Sequence, residues 1–280
     1  MTYQIIHNTT YHYSQPVELN PHLLRLRSRS DCNQNLTSFR LDINPPPAGQ
    51  SDLVDLGGNS VTKIWFTEKV SSLSITATST VETYCTNPFN YLLEPWVTQL
   101  PIIDYPASLL DHLQPYMASH LDPVATQLAQ DIWQQTQGQT VPFLSTLNNQ
   151  IYENCQYIMR EIGEPYPPSY TWNKKIGSCR DTAVLFIAAC RSMGIAARFV
   201  SGYREGELPN EPRHLHAWAE VYLPGAGWKG YDQTEGLAVS DNHIVLATSV
   251  HPRHASPVTG SIRGVAETQM NYSLSIEKIL

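Results

Sequence analysis

The sequence has little charge and no concentrated block of it. Asp, Glu, Lys and Arg make up 15% of its 280 residues, and the net charge is −7. No cluster of Lys and Arg is present to neutralise phosphates, as nucleic-acid binding requires. Long apolar runs are missing too, because the richest window, 183–190, ends at Arg191, and a membrane helix needs about 18 such residues. We therefore expect neither a nucleic-acid partner nor a membrane partner.

The cysteines also lack a pattern, since Cys32, Cys85, Cys155, Cys179 and Cys190 include no C-x-x-C pair. The first residues contain no basic segment followed by an apolar run, so we expect no signal peptide and predict a cytoplasmic location. In that compartment five unpatterned cysteines indicate free thiols, not a disulfide framework or a zinc site. No cofactor and no metal are expected.

Residues 1–100 are predicted to form a β-rich domain. The alternation from Tyr3 to Tyr13 is typical of a strand, and further candidate strands lie at 23–29, 38–43, 60–66 and 72–84. Turn residues separate these runs, as in a sandwich or small barrel. The segment 87–106 contains four prolines and is predicted to be a linker.

Residues 101–280 are predicted to form a second domain that begins with helices. Apolar residues recur at helical spacing after Asp122-Pro123, a cap and first-turn pair, and again after Pro142. Between Gly177 and Gly194 lies an almost wholly apolar helix whose two ends are both marked by helix-boundary residues. We expect this helix to be central to the domain.

Cys179 falls in the first turn of that central helix, directly after Gly177-Ser178. The helix dipole and the unpaired N–H groups at this position favour a thiolate. The backbone N–H of Cys179 is also free to bond a developing oxyanion. Cys179 is therefore the candidate nucleophile.

A base and an orienting acid follow in one predicted hairpin. Residues 214–223 alternate as a strand that carries His216, and the turn at 224–227 leads into a second strand that ends at Asp232. A thiol needs a histidine to take its proton, and the histidine needs an acceptor on its second nitrogen. Asp232 shares the face of His216 only if paired residue numbers sum to an even value, so we predict an odd-length loop or a bulge.

Three alternatives stay open. His214 shares the face of His216 and is a rival base. His214, His216 and Asp232 also have the H-x-H spacing of a metal site, although the chain has no second H-x-H or H-E-x-x-H cluster. In the third alternative the chain keeps the fold but is a non-catalytic binding or scaffold module.

These motifs resemble the transglutaminase-like superfamily, specifically its bacterial branch with an N-terminal β domain. The histidine follows the cysteine by 37 residues, and the aspartate follows the histidine by 16. Order and spacing both match across the segments 177–181, 198–203, 216–221, 227–228 and Asp232. The segments 7–13, 55–59 and 256–260 extend the resemblance over nearly the whole chain.

The resemblance implies an α+β fold, with an N-terminal β-sandwich-like domain followed by a papain-like, transglutaminase-like α+β catalytic core. It implies a Cys179-His216-Asp232 triad that forms a thioester with a peptide or protein substrate. With water as the acceptor the chain is a cysteine peptidase or amidase. We favour this alternative because the sequence shows no element that would form a water-excluding channel. With an amine acceptor it is a protein-glutamine acyltransferase, that is, a transglutaminase.

Smaller expectations concern charged residues near these motifs. Arg180 stands where the branch commonly has Gln, and we expect it to alter substrate acceptance or to pair with Asp181 or another carboxylate. Arg198 lies on an otherwise apolar strand and is expected to pair with a buried acid. For the second oxyanion donor we consider Trp172 or Asn173.

Overall fold

The computed structural model describes residues 1–117, 120–160, 163–206 and 214–279. Its N-terminal part is built of strands β1 (Thr2–Leu19), β2 (His22–Leu24), β3 (Gln34–Asn44), β4 (Gly49–Val54), β5 (Ser60–Trp65) and β6 (Val70–Thr83). Buried and more exposed residues alternate along β6, because successive side chains point to opposite faces of a sheet. The β-rich prediction is confirmed here, although the run 23–29 forms a strand only at its start.

The second part begins with helices and continues into an antiparallel sheet. Its helices are α1 (Ala107–Leu113), α2 (Pro123–Gln135), α3 (Thr140–Asn154), α4 (Pro168–Lys174) and α5 (Cys179–Ser192). A short parallel pair, β7 (Gln156–Tyr157) and β8 (Ile176–Gly177), precedes α5. The sheet contains β9 (Ala197–Arg204), β10 (His216–Leu223), β11 (Gly227–Asp232), β12 (Leu237–Ala238) and β13 (His243–Ser249), in the order β12-β11-β10-β9-β13. Short 3-10 turns lie at Pro95–Val97, Gln114–Tyr116 and Pro252–Ala255.

The chain then returns to the N-terminal sheets through β14 (Val258–Thr259), β15 (Ile262–Arg263) and β16 (Thr268–Ile279). Strands β15 and β16 pair with β1, beside β6 and β3, while β14 joins β2, β5 and β4 in a second sheet. The two sheets enclose an apolar core that includes Leu24, Ile64 and Ile75, which makes this part sandwich-like. The division of the chain into 1–100 and 101–280 stays a prediction; the strand pairing adds that residues 258–279 complete the first part.

Helix α5 is the central helix of the second part, as predicted. Its apolar residues are buried in one cluster with those of α2, α3 and β10. Helix α2 starts where predicted, because Asp122 Oδ1 accepts hydrogen bonds from the first backbone N–H groups at 3.0 Å. Helix α3 starts at Thr140, two residues before the predicted boundary at Pro142. None of the helices in the described ranges is long and apolar enough to cross a membrane.

The segment that we predict as a linker, 87–106, packs against this same core. Val97, Leu100 and Ile102 are buried in the cluster, and the Tyr105 hydroxyl donates to the carbonyl of Gly194 at 2.9 Å. Proline removes backbone donors and breaks regular elements, but it does not keep the apolar residues between prolines from being buried. The segment is therefore part of the second core.

The β10–β11 hairpin has the register that the sequence argument requires. Ala219 pairs with Tyr231, so paired numbers sum to 450, and residues 224–226 form a three-residue loop. The predicted odd-length loop is confirmed. Since side chains alternate along each strand, His216 and Asp232 lie on the same face of the sheet.

A buried ion pair stabilises the neighbouring strands, as expected for Arg198. Its guanidinium donates to Glu220 at 2.6 and 2.7 Å, and it lies over the Trp228 ring at 4.0 Å. Both charged groups are thus paired, and the planar cation also stacks on an aromatic face.

A third apolar cluster joins the sandwich to the second sheet and includes Tyr3 from β1 and Tyr203 from β9. In the same interface the His7 ring is fully bonded, through Nδ1 to the Tyr203 hydroxyl at 2.9 Å and through Nε2 to the Thr9 hydroxyl at 3.1 Å. Burial lowers the pKa of His7 to about 4. The neutral ring therefore belongs to the folded state, and its protonation opposes folding.

This interface predicts an acid-sensitive stability. The pKa of His7 in the folded state lies below its value in the unfolded state. The contribution of the neutral ring to the free energy of unfolding is therefore fully present above about pH 6.5 and is lost as the pH falls toward 4. From about pH 7.5 to pH 5 we expect the wild-type free energy of unfolding to fall about 2 kcal/mol more than that of His7→Gln. Urea denaturation at both pH values measures the difference.

The matched control is His12→Gln, which changes an exposed histidine of the same strand. Its pH dependence should follow that of the wild type. Equal pH dependence in His7→Gln and the wild type would contradict the assignment.

Candidate active site

Cys179 is the first residue of α5, directly after the N-cap Ser178. Its side chain is buried with 7% exposure. Among the described residues no acceptor takes its backbone N–H, as expected for the first turn of a helix. The thiol and this free N–H therefore occur at one helix terminus.

Asp181 fixes that helix start. Its fully buried carboxylate accepts hydrogen bonds from the Ser178 backbone N–H and hydroxyl at 2.7 and 2.8 Å. It also binds Arg160 Nη1 at 2.9 and 3.0 Å and the backbone N–H of Tyr166 at 2.7 Å. The carboxylate thus connects the residue before Cys179 to the segment that contains Arg160 and Tyr166.

Arg180 does not pair with Asp181, contrary to one of our expectations. Its guanidinium donates to the carbonyls of Gly163 at 2.9 Å and Arg160 at 2.7 Å. Successive helical residues point in different directions, so Asp181 faces the interior while Arg180 reaches the neighbouring loop. Asp181 is paired instead with a residue that is 21 positions earlier.

His216 and Asp232 are in direct contact. His216 Nε2 lies 2.6 Å from Asp232 Oδ2, and the backbone N–H and hydroxyl of Thr234 donate to Oδ1 at 2.9 and 2.7 Å. The Cys179 thiol and the His216 ring line the same cleft, and the thiol is close enough to the ring to raise its pKa. Because Nε2 points to Asp232, Nδ1 is the nitrogen left for the thiol. The structure thus brings the three predicted residues together, and their catalytic roles stay a prediction.

Charge and burial act in opposite directions at this pair. Burial alone would lower the pKa of His216, but the Asp232 carboxylate and the Cys179 thiol outweigh it and raise that pKa above its ordinary value. Burial alone would raise the pKa of Asp232, but His216 and His243 hold it well below its usual range. Asp232 is therefore ionised, and a protonated His216 is favoured next to it.

His243 is the site residue that sequence reasoning missed. It opens β13, and its Nε2 lies 3.0 Å from Asp232 Oδ2, the same oxygen that His216 contacts. The available signal was a histidine at the edge of the apolar run 244–247. This signal was weak, because nothing in the local pattern shows that β13 reaches Asp232.

His214, the rival base, lines the same cleft as Cys179 and His216 but is bonded to a different partner. Its Nδ1 is hydrogen-bonded to the hydroxyl of Tyr272 on β16. The residue that shares Asp232 with His216 is therefore His243, and His214 connects the start of β10 to the sandwich.

The metal alternative is not supported by the contacts. Among the described residues, His216, Asp232 and His243 form a group whose ligand atoms lie close enough together to hold a metal ion, and His214 is not part of it. The two imidazoles lie 2.6 and 3.0 Å from one carboxylate oxygen, which is the spacing of hydrogen bonds. The other oxygen is occupied by Thr234. The group is accordingly a hydrogen-bonded set.

Cys179 and His216 line a cleft of about 290 Å³. Its walls come from both parts of the chain, with Tyr11 and Met270 from the sandwich and Tyr157 from β7. Burial and, to a smaller extent, the nearby Cys179 raise the pKa of Tyr157 to about 12, so its hydroxyl stays protonated. Neither candidate for the second oxyanion donor lines this cleft, and the Trp172 ring is covered by Lys175 Nζ at 2.8 Å.

Two family descriptions match this chain. Residues 3–82 match the bacterial transglutaminase-like N-terminal region. Residues 126–233 match the transglutaminase-like superfamily, and this range contains Cys179, His216 and Asp232. The two matches coincide with the N-terminal strands and with the helices and hairpin described above.

Similar proteins occur in mycobacteria. An uncharacterized protein of Mycobacterium tuberculosis is 27% identical over 286 aligned residues, which cover 93% of this chain and 87% of the relative. An uncharacterized protein of Mycobacterium leprae is 24% identical, with 99% and 98% coverage. The similarity therefore extends over both parts of the chain.

A solved structure shares the whole architecture. The crystal structure of a proposed cysteine protease from Cytophaga hutchinsonii has a TM-score of 0.74 at 20% identity, and the match covers 100% of this chain and 91% of that one. This likeness confirms the predicted fold, a sheet-rich N-terminal region with a transglutaminase-like core. The chain belongs to the transglutaminase-like superfamily, in the group with the bacterial N-terminal region.

Proposed function

We propose that this chain is a thiol-dependent amide-bond enzyme, a cysteine peptidase or amidase that uses Cys179, His216 and Asp232. The observation that carries the proposal is the His216 ring, which lies 2.6 Å from the buried Asp232 carboxylate and lines one cleft with the Cys179 thiol. The thiol lies at a helix N-terminus. This combination matches what nucleophilic catalysis by a thiol requires.

In the proposed mechanism His216 accepts a proton and donates it again, both when the thioester forms and when it is hydrolysed. His216 Nδ1 takes the thiol proton, and the Cys179 thiolate attacks the amide carbonyl. The Cys179 N–H stabilises the resulting oxyanion. His216 then gives its proton to the leaving amine as the C–N bond breaks, which leaves a thioester. Water attacks the thioester with His216 as the base, the C–S bond breaks and the acid is released, and the Cys179 thiolate regains the proton from His216. Asp232 stays ionised and holds the imidazole orientation.

Hydrolysis is preferred to acyl transfer, and the substrate is proposed to be a peptide or protein. The Cytophaga structure of the same fold is described as a proposed cysteine protease, which favours hydrolysis over transfer. An amine acceptor, and hence transglutaminase activity, is the second candidate because the same thioester serves both reactions. We also propose a cytoplasmic location, with neither nucleic acid nor a membrane as a partner.

Selective alkylation tests the activated thiol. With iodoacetamide near pH 7 we expect Cys179 to react roughly 10-fold or more faster than the exposed Cys32, because His216 favours its thiolate. Burial raises the pKa of Cys155 to about 11 and also that of Cys190, so these two should react slowly. Peptide mapping by mass spectrometry gives the rate at each position.

Cys179→Ala should remove the fast reaction, and His216→Ala should slow it. The matched control, Cys155→Ala, should leave it unchanged. Uniformly slow labelling of all five thiols would instead favour the scaffold alternative.

The identity of the acceptor has a separate test. Incubation with a glutamine-containing peptide library and a labelled primary amine distinguishes the two fates of the thioester. We expect new peptide termini or released ammonia and little incorporated label, with a loss of roughly 10³-fold or more in Cys179→Ala. Cysteine-dependent label incorporation as the main product would establish the transferase and overturn the hydrolase.

A further inference from the structure

We propose that His243 is a positioning residue, a second imidazole that holds the Asp232 carboxylate in place for His216. This inference rests on the proposed function, in which His216 and Asp232 act together. It assigns to His243 a single fixed role, the donation of its Nε2–H to Asp232 Oδ2, the oxygen that His216 also contacts at 2.6 Å.

The hydrogen bonds of Asp232 define that role. Four donors surround the carboxylate, with both imidazoles on Oδ2 and the two groups of Thr234 on Oδ1. The carboxylate is fully buried, so water does not compete for either oxygen. With donors on both oxygens, rotation of the carboxylate would break bonds at each end. His243 thus restricts the acceptor that orients His216.

The same contacts fix the protonation state of His243. An ionised carboxylate only accepts hydrogen bonds, so Nε2 must carry the proton. Among the described residues Nδ1 has no hydrogen-bond partner, and it is buried. A charged ring would leave a second N–H buried without an acceptor, at a free-energy cost. The geometry therefore requires the neutral Nε2–H tautomer.

The charged groups around His243 agree with a neutral ring. Burial, opposed by Asp232 from β11, lowers the pKa of His243, and His216 from β10 and Arg204 from β9 lower it further. Arg204 is itself paired with Glu235 at 2.8 Å. Titratable groups that face His216 in the described part of the chain include Asp232, the Cys179 thiol and His243.

Packing holds the ring where it is needed. The His243 ring lies edge-on to the Trp218 indole, with centroids 5.3 Å apart. The indole in turn fits over Gly202, where an added Cβ would lie 2.5 Å from it. A side chain at position 202 would therefore displace the indole against which the His243 ring packs.

Sharing of one oxygen also has a chemical consequence. Two N–H groups on Oδ2 divide its hydrogen-bonding capacity, so removal of His243 should strengthen the remaining bond to His216. A stronger bond raises the pKa of the His216 imidazolium and makes it a weaker acid toward the leaving amine. Loss of His243 should thus slow turnover without weakening substrate binding.

Nitrogen NMR of the full chain with labelled histidine tests this directly. In the wild type we expect His243 to show the Nε2–H tautomer and no titration between about pH 5 and pH 8. In His243→Leu the His216 pKa should rise by about 0.5 or more. His243→Gln, which retains an N–H donor near the position of Nε2, should return it to the wild-type value.

Steady-state kinetics on any peptide that the wild type cleaves provide a second test of the proposal. His243→Leu should lower kcat roughly threefold to tenfold with KM unchanged, and His243→Gln should recover most of the loss. A folded His243→Leu with unchanged kcat or an unchanged His216 pKa would overturn the proposal. The proposal would also be overturned if a folded His243→Gln did not recover both the kcat and the His216 pKa.

The wild-type spectrum keeps the test decisive if His243→Leu does not fold. Titration of His243 near its ordinary pKa, or an Nδ1–H tautomer, overturns the proposal without any variant. If the wild type cleaves no peptide and Cys179 is not selectively alkylated, the proposed function fails. The NMR reading still decides whether His243 holds Asp232.

Discussion

The position of Cys179 depends on the buried carboxylate of Asp181. This group accepts five hydrogen bonds, from Ser178, Arg160 and Tyr166, and has no exposed surface. It satisfies donors at the start of α5 and neutralises a largely buried arginine at the same time. Loss of one partner of such a pair typically costs about 3–5 kcal/mol, because the other charge is left buried and unpaired. The helix start and the cleft wall at Arg160 are therefore held as one unit.

The site contains two buried carboxylates whose partners separate their roles. Asp181 is bound by backbone N–H groups, a hydroxyl and a guanidinium, none of which changes its charge near neutral pH. Asp232 is bound by two imidazoles, and one of them, His216, changes charge in the proposed mechanism when it takes the proton of the thiol. Of the two carboxylates, only Asp232 therefore contacts a group that changes charge in the proposed mechanism. Asp181 fixes where the thiol is, and Asp232 fixes the orientation and charge of the His216 ring.

The features that sequence could predict are those with a local physical cause. The ends of α5 follow from Ser178 and Gly194, because helix termini need particular caps. The register of β10 and β11 follows from parity, because His216 and Asp232 share a face only when the loop has an odd length. The central helix and the candidate residues Cys179, His216 and Asp232 could be predicted from the sequence for the same reason.

What sequence did not predict depends on contacts between distant segments. Arg180 adjoins Asp181 but points to a loop, and Arg160 takes its place from 21 residues away. His243 reaches Asp232 from a strand on the far side of β9. Neither arrangement leaves a periodic pattern in the chain. The proline-rich segment 87–106 was misleading for a related reason, because proline reports backbone conformation and not burial.

The return of the C-terminal strands makes the sandwich part of the site. Strand β16 lies along β1 over nearly its full length, and these two strands supply Tyr11 and Met270 to the cleft. The bond between Tyr272 and His214 ties the same sheet to the residues just before His216. Tyr3 and Tyr203 are buried where the sandwich meets the second sheet, so separation of the two parts would expose apolar surface to water. The N-terminal part and the returning C-terminal strands therefore build one wall of the cleft that Cys179 and His216 line.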